Sequence, residues 1–212
     1  MSGDFLDAVQ TDDLSVHVVV GDVSGHGAAE AALGVHLRMA WRTAVLCGKS
    51  QLEQLYLMER MLADERADDH TYATVLSLVF PPDRLTVRAV SAGHHGFLLR
   101  RAHTVRWLEP RIGIALGLLP ERADWQETVF DILEEDGLVT FTDGLFEGKT
   151  SASSRLGEAG LHRLATRHAL LPPEEFVDAL VADVTALAAP YGGLSDDVAV
   201  LHLGWKSTRT RW

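Results

Sequence analysis

Aspartates end several separate strand-like or loop-like stretches of this chain. Asp22 lies in Gly21-Asp22-Val23-Ser24-Gly25-His26-Gly27, just after the β-branched, apolar run Ser15–Val20. Asp143 lies in Thr142-Asp143-Gly144, just after Leu138-Val139-Thr140-Phe141. Asp196 and Asp197 follow Gly192-Gly193-Leu194-Ser195, and Asp4 and Asp7 flank Phe5 and Leu6 near the start. Glycine lets a backbone take positive φ and come close to a ligand. Any one of these aspartates has an ordinary explanation as a turn or cap residue; the set is explained less well that way. Strands lying side by side cluster their ends, and clustered carboxylates repel one another unless a cation neutralises them. The pattern therefore points to a metal site. Ligation by oxygen alone selects hard ions such as Mg²⁺ or Mn²⁺. Zinc fits less well, since no His/Cys spacing of its usual kind occurs. Two hard ions bridged by one carboxylate can acidify a shared water and clamp a phosphate for in-line attack.

The elements that must position these residues can be read from hydrophobic periodicity. Phe5–Val9 and Ser15–Val20 read as a hairpin across the polar turn Gln10–Asp13, with Phe5 and Leu6 entering the core. Ala28–Leu46 reads as a helix with an apolar stripe of Leu33, Leu37, Ala40, Trp41, Ala44 and Val45. Ser50 and Glu53 form a capping box that opens a second helix carrying Leu52, Leu55, Tyr56, Met58 and Leu62. Asp64–His70 is a solvated connection. From Thr71 the period changes to two. Tyr72–Phe80, Leu85–Ala92, Phe97–Arg100 and Val105–Leu108 read as strands of an antiparallel meander, Ile112–Leu119 as a loop, and Trp125–Ile132 and Leu138–Phe141 as further strands. Ser151–Ser154 is a small polar loop, the best candidate for mobility. Leu156–Leu170 and Pro173–Ala189 read as helices, and Val198–Leu203 as a last strand. The fold class is α+β: an antiparallel β-sandwich flanked by helices (αββα), one domain over residues 1–205 with a basic, polar tail at 206–212.

Bulk properties narrow the function classes. The chain has 212 residues, of which 47% are apolar, enough for a sizeable core. Its net charge of −11 argues against a nucleic-acid surface. The single cysteine, Cys47, cannot form an internal disulfide and reads as a core filler, which fits a reducing cytoplasm. No apolar run is long enough to span a membrane, and no signal peptide opens the chain.

Five stretches taken together resemble the metal-dependent protein phosphatases of the PPM family, in the bacterial SpoIIE/RsbU-like branch. They are Gly3-Asp4-Phe5-Leu6-Asp7, Gly21–Gly27, Ser91-Ala92-Gly93-His94-His95, Thr142–Glu147 and Ser195-Asp196-Asp197-Val198-Ala199, in that order. The resemblance implies two Mn²⁺ or Mg²⁺ ions at one end of the sandwich. It implies Asp22 as the carboxylate bridging both, the Val23 carbonyl on the second ion, and Asp143 and Asp196 on the first, with Asp197 able to exchange roles with Asp196. Asp4 matches an early family aspartate that ligates or holds water. The implied substrate is phosphoserine or phosphothreonine on a protein, often a STAS-fold anti-sigma-factor antagonist.

Departures from the family pattern are specific. Ser2 stands for a glycine, Leu6 for an aromatic, and His95 for a proline. Ser24 occupies the position of a histidine that acts as general acid in eukaryotic relatives; His26 is the nearest substitute, and His94 reads as packing near the site. The abrupt start leads to the expectation that an upstream strand is missing. The two helices from Ala28 to Arg66 have apolar residues to spare, which suggests regulation or a homodimer. The competing reading is an inactive or weakly active domain of the same fold that binds a regulatory partner. Phosphodiester or nucleotide hydrolysis is a weaker alternative, as no P-loop lysine or basic groove is visible.

Overall fold

The computed structural model describes residues 3–119, 122–194 and 196–205; Ser2, Ser195 and the expected tail at 206–212 lie outside them. Along the chain run β1 (Phe5–Gln10), β2 (Val16–Val23), α1 (Ala28–Leu46), α2 (Gln51–Glu65), β3 (Ala73–Phe80), β4 (Thr86–Ala92), β5 (Phe97–Arg101) and β6 (Thr104–Leu108). These are followed by β7 (Ile112–Gly113), β8 (Thr128–Asp131), β9 (Gly137–Phe141), α3 (Gly144–Glu147), α4 (Gly157–Arg167), α5 (Pro173–Ala188) and β10 (Val200–Gly204). They fall into two compact units, Met1–His95 with Glu109–Asp131, and Gly96–Leu108 with Ile132–Trp212.

In the first unit the strand order is β1-β2-β3-β4-β7, with β8 also paired to β4. The hairpin expected from the sequence forms, with Phe5 opposite Gly21 and Gln10 opposite Val16. Gly21 is needed there, because a Cβ would run into the Phe5 ring and the Thr74 carbonyl. Helices α1 and α2 bury their stripes against one face of this sheet. Leu33, Leu37, Trp41 and Val45 of α1 and Leu55, Met58 and Leu62 of α2 share a core with Phe5, Val9, Val19, Val23, Ala73 and Val75. The capping box at α2 is complete: Ser50 accepts from the Glu53 N–H, and Glu53 accepts from the Ser50 N–H at 2.9 Å. Those Ser50 contacts hold the Glu53 carboxyl down at about 2.

In the second unit the order is β10-β9-β5-β6, all antiparallel. Helices α4 and α5 cover it: Leu161, Leu164, Phe176, Leu180 and Val184 pack with Leu98, Val105, Val139 and Phe141. Asp136, 2% exposed, is gripped by the Arg101 guanidinium at 2.9 and 2.6 Å and by the Leu133 N–H at 2.7 Å. This fixes the turn before β9 to the end of β5.

Several expectations change. The meander is broken after β4: β5 joins β9 and β6 in the other sheet. Alternation identifies a strand but not its partner. Ile112–Gly113, read as loop, is a two-residue strand parallel to β4. The strand expected from Trp125 starts only at Thr128, and Trp125 is a buried core residue. Leu6 is only partly buried. Cys47 is exposed, not a core filler, because it caps the C-terminal end of α1 beyond the buried stripe. Among the described residues no helix is long and apolar enough to cross a membrane.

Candidate metal centre

Asp22 is the penultimate residue of β2, half-buried, with Thr74 opposite it; Val23, fully buried, lies opposite Ala73. The β1–β2 register ends on Phe5 opposite Gly21, so Asp4 is the residue just before β1, at the same end of the sheet. The start of β1 is held by close glycine contacts. A Cβ at Gly3 would meet the Val23 carbonyl at 2.9 Å, and one at Gly34 of α1 would meet the Gly3 carbonyl at 2.6 Å. Beyond Val23, the Ser24 N–H donates to the Tyr72 carbonyl at 2.9 Å, and the Ser24 hydroxyl accepts from the Tyr72 N–H at 3.0 Å. Gly25 and Gly27, at φ of 101° and 138°, then turn the chain into α1.

Asp143 follows β9 and precedes α3. Its neighbour Gly144 lies where a Cβ would collide with the Asp197 carbonyl, so glycine here lets the 196–199 segment close onto the end of β9. Two further bonds hold that closure: the Thr142 N–H donates to the Ala199 carbonyl, and the Ala199 N–H to the Thr142 hydroxyl, both at 3.0 Å. The consequence is electrostatic. Burial pushes the Asp143 carboxyl above the usual carboxylate range, and the charges of Glu147 and Asp196 push it further. Crowded acids of this kind are what a bound cation would relieve.

Asp22, in the first unit, and Asp143 and Asp196, in the second, each offer a carboxylate oxygen. The donors are hard oxygens, which fit Mg²⁺ or Mn²⁺. Within the second unit burial, then the charge of Glu147, then that of Asp196 raise the Asp143 carboxyl. Asp197 is exposed, and its N–H donates to Asp196 Oδ1 at 2.8 Å. Asp7, an expected candidate, is engaged elsewhere: its oxygens accept from Arg38 at 3.1 Å and Arg42 at 2.8 Å, both on α1. His26 is exposed. His94 is buried, with its Nδ1 3.1 Å from the His95 carbonyl, and burial holds its imidazole down at about 4. The sequence reading missed the roles of Thr142 and Gly144; the only signal was their place on either side of Asp143.

Comparison with known proteins places this geometry in context. A model of the family described as stage II sporulation protein E (SpoIIE) matches residues 12–206. The phosphoserine phosphatase RsbP of Bacillus subtilis is 24% identical over 158 residues, 71% of this chain and 38% of RsbP. The solved RsbU and RsbW domains of Rv1364c from Mycobacterium tuberculosis match with a TM-score of 0.75 and 28% identity, over 97% of this chain and 56% of that one. This chain thus spans less than two thirds of both of those relatives. The SiaA-PP2C domain of Pseudomonas aeruginosa matches with a TM-score of 0.82 and 18% identity, over 97% of this chain and 81% of that one, a likeness of fold. The α+β class, with antiparallel sheets and helices, agrees with these folds.

Proposed function

The chain belongs to the stage II sporulation protein E family, a branch of the PP2C-type metal-dependent protein phosphatases, and on that premise we propose that residues 1–205 form one phosphatase domain that hydrolyses phosphoserine or phosphothreonine on a regulatory protein. The observation that carries the reading is the burial of Asp143 at the end of β9 and its crowding by Glu147 and Asp196, which raise the Asp143 carboxyl. Asp22, Asp143, Asp196 and the Val23 carbonyl would hold two Mn²⁺ or Mg²⁺ ions, with Asp4 adding a further oxygen or holding water. Bound divalent cations supply Lewis acidity, which acidifies water and offsets charge on a phosphoryl group.

The chain's own part is positioning and proton balance. Thr142 and Gly144 hold the Asp196 segment against Asp143. The Asp143 carboxyl, pushed up by burial and its acidic neighbours, must be unprotonated to ligate, so binding strengthens as pH rises. Asp7 takes no part, since two arginines hold it.

The proposed substrate is a phosphorylated STAS-fold anti-sigma-factor antagonist in the cytoplasm. The name of RsbP, a phosphoserine phosphatase, supports the phosphoserine chemistry. The groove between α1 and α2, lined by Met39, Ala40, Leu57 and Met61, supports a homodimer; light scattering that finds only monomer at high concentration counts against it.

The test is hydrolysis of a phosphoserine protein with and without Mn²⁺, by the parent and by Asp22→Asn and Asp143→Asn. The expected result is turnover that requires the metal and falls by about a thousandfold or more in each variant, as for a lost group that stabilises charge in the transition state. Parent-like turnover in either variant overturns the mechanism. No metal-dependent turnover by the parent, with partner binding intact, supports a binding domain instead.

A further inference from the structure

Glu59 is a buried carboxylate outside the acidic group. It sits on α2, 7% exposed, and accepts from the Gly117 N–H at 2.9 Å. Arg66, at the C-terminal end of the same helix, donates through Nη1 to the Gly117 carbonyl at 2.9 Å and to the Thr71 carbonyl at 3.1 Å. Both backbone groups of one residue are therefore held by charged side chains from one helix. Gly117 has φ of 85°, and a Cβ there would meet Leu62 and the Thr71 carbonyl at 2.9 Å each, so the approach requires glycine. A third attachment joins α2 to the same loop. The Tyr56 ring lies 5.1 Å from that of Trp125, whose indole N–H donates to the Ile114 carbonyl at 2.7 Å.

The loop leads to the metal-ligand end of β2. Leu116 and Ala73 exchange both backbone hydrogen bonds, at 3.0 and 2.9 Å. Ala73 is the register partner of Val23, and Tyr72 is bonded twice to Ser24. A path of hydrogen bonds and chain neighbours thus runs from Glu59 and Arg66, through Gly117, Leu116, Ala73 and Tyr72, to Ser24, which directly follows Asp22 and Val23. A buried carboxylate costs stability unless its hydrogen bonds repay the desolvation. An apolar side chain at position 59 would fill the space without that cost but could not hold the Gly117 N–H.

We propose that Glu59 and Arg66 are positioning residues for Asp22 and Val23, fixing the end of β2 through the Gly117 loop so that its two oxygens are presented to the cation. This rests on the metal-centre reading above.

The test measures Mn²⁺ affinity by titration calorimetry, without substrate, on the full chain. Glu59→Leu and Arg66→Met are each expected to weaken binding by about tenfold or more, the usual effect of losing a group that orients a ligand. Glu59→Gln, which keeps an acceptor for Gly117, is expected to stay close to the parent. Gln51→Leu is the control. Gln51 anchors the other end of α2 to the carbonyls of Ser77 and Arg88, so its loss lowers the melting temperature but leaves Mn²⁺ affinity unchanged. If Glu59→Leu does not fold, Arg66→Met decides, as its guanidinium is not part of the apolar core. A parent that binds Mn²⁺, with Glu59→Leu and Arg66→Met binding equally well, overturns the positioning role alone. A parent that binds no Mn²⁺ overturns both this role and the metal centre.

Discussion

At the scale of single residues, the chemistry depends on which carboxylates the backbone can bring together. Gly144 is the sharpest case, because the Asp197 carbonyl occupies the space a Cβ would need. Gly144→Ala is expected to cost about 1–3 kcal/mol of stability, as overpacking does, and to weaken metal-dependent activity by shifting the Asp196 segment. Urea unfolding and the Mn²⁺ dependence of turnover check it; parent-like values in both contradict it. The sequence made Asp22 and Asp143 legible, since each ends a β-branched or apolar run beside glycine. It also carried a clue about Asp7 that its own pattern could have supplied. Asp4 and Asp7 are three apart on a strand, so they lie on opposite faces. Asp7 shares its face with Phe5 and Val9, which α1 covers, and there it meets Arg38 and Arg42, one helical turn apart. Asp196 and Asp197 carry no such clue. They sit on a loop without periodicity, and only the fold distinguishes them.

At the scale of elements, long periodic segments were legible and short ones were not. Helix α1 spans the residues its stripe implied, and Ser50 with Glu53 opens α2 as the capping pattern requires. Tyr56, by contrast, reads as part of the apolar face yet is 49% exposed, with its ring against Trp125. The two residues of β7 are too few to show a period, and the four of α3 too few to show a stripe. The division of strands between two sheets was hidden for a different reason. β4 and β5 both read as strands, but Gly93, at φ of 70°, with Ala115 packed against the position of its absent Cβ, ends the first run, and β5 pairs with β9. Glu59 and Arg66 left no sequence signal at all. Each looks like a charge on a solvated helix face, and only the Gly117 loop gives them work.

At the scale of the whole molecule, stability should depend on acid through buried histidines. Burial holds His94 at about 4, and burial together with the Arg100 charge holds His202 at about 4, against an ordinary 6.5. Between pH 6.5 and about 4 the unfolded chain takes up these protons and the folded chain does not. Stability therefore falls as pH drops through that window and levels off below it. His94 alone can contribute roughly 3 kcal/mol, at about 1.4 kcal/mol per pH unit; His202, more open to solvent, contributes less. Asp143 runs the other way: its raised carboxyl favours the folded state in acid, and that advantage is lost as pH rises through its folded value. In metal-free protein, melting temperatures from pH 7.5 to 4.5 should fall less steeply for His94→Gln than for the parent; an identical slope contradicts the account. The central claim is that Asp22, Asp143 and Asp196 hold a divalent cation, and anomalous diffraction from crystals soaked in Mn²⁺ tests it most directly. The expected map has its strongest Mn²⁺ peak between the carboxylates of Asp22, Asp143 and Asp196. Peaks bound elsewhere, or no peak at these carboxylates at saturating Mn²⁺, would contradict it.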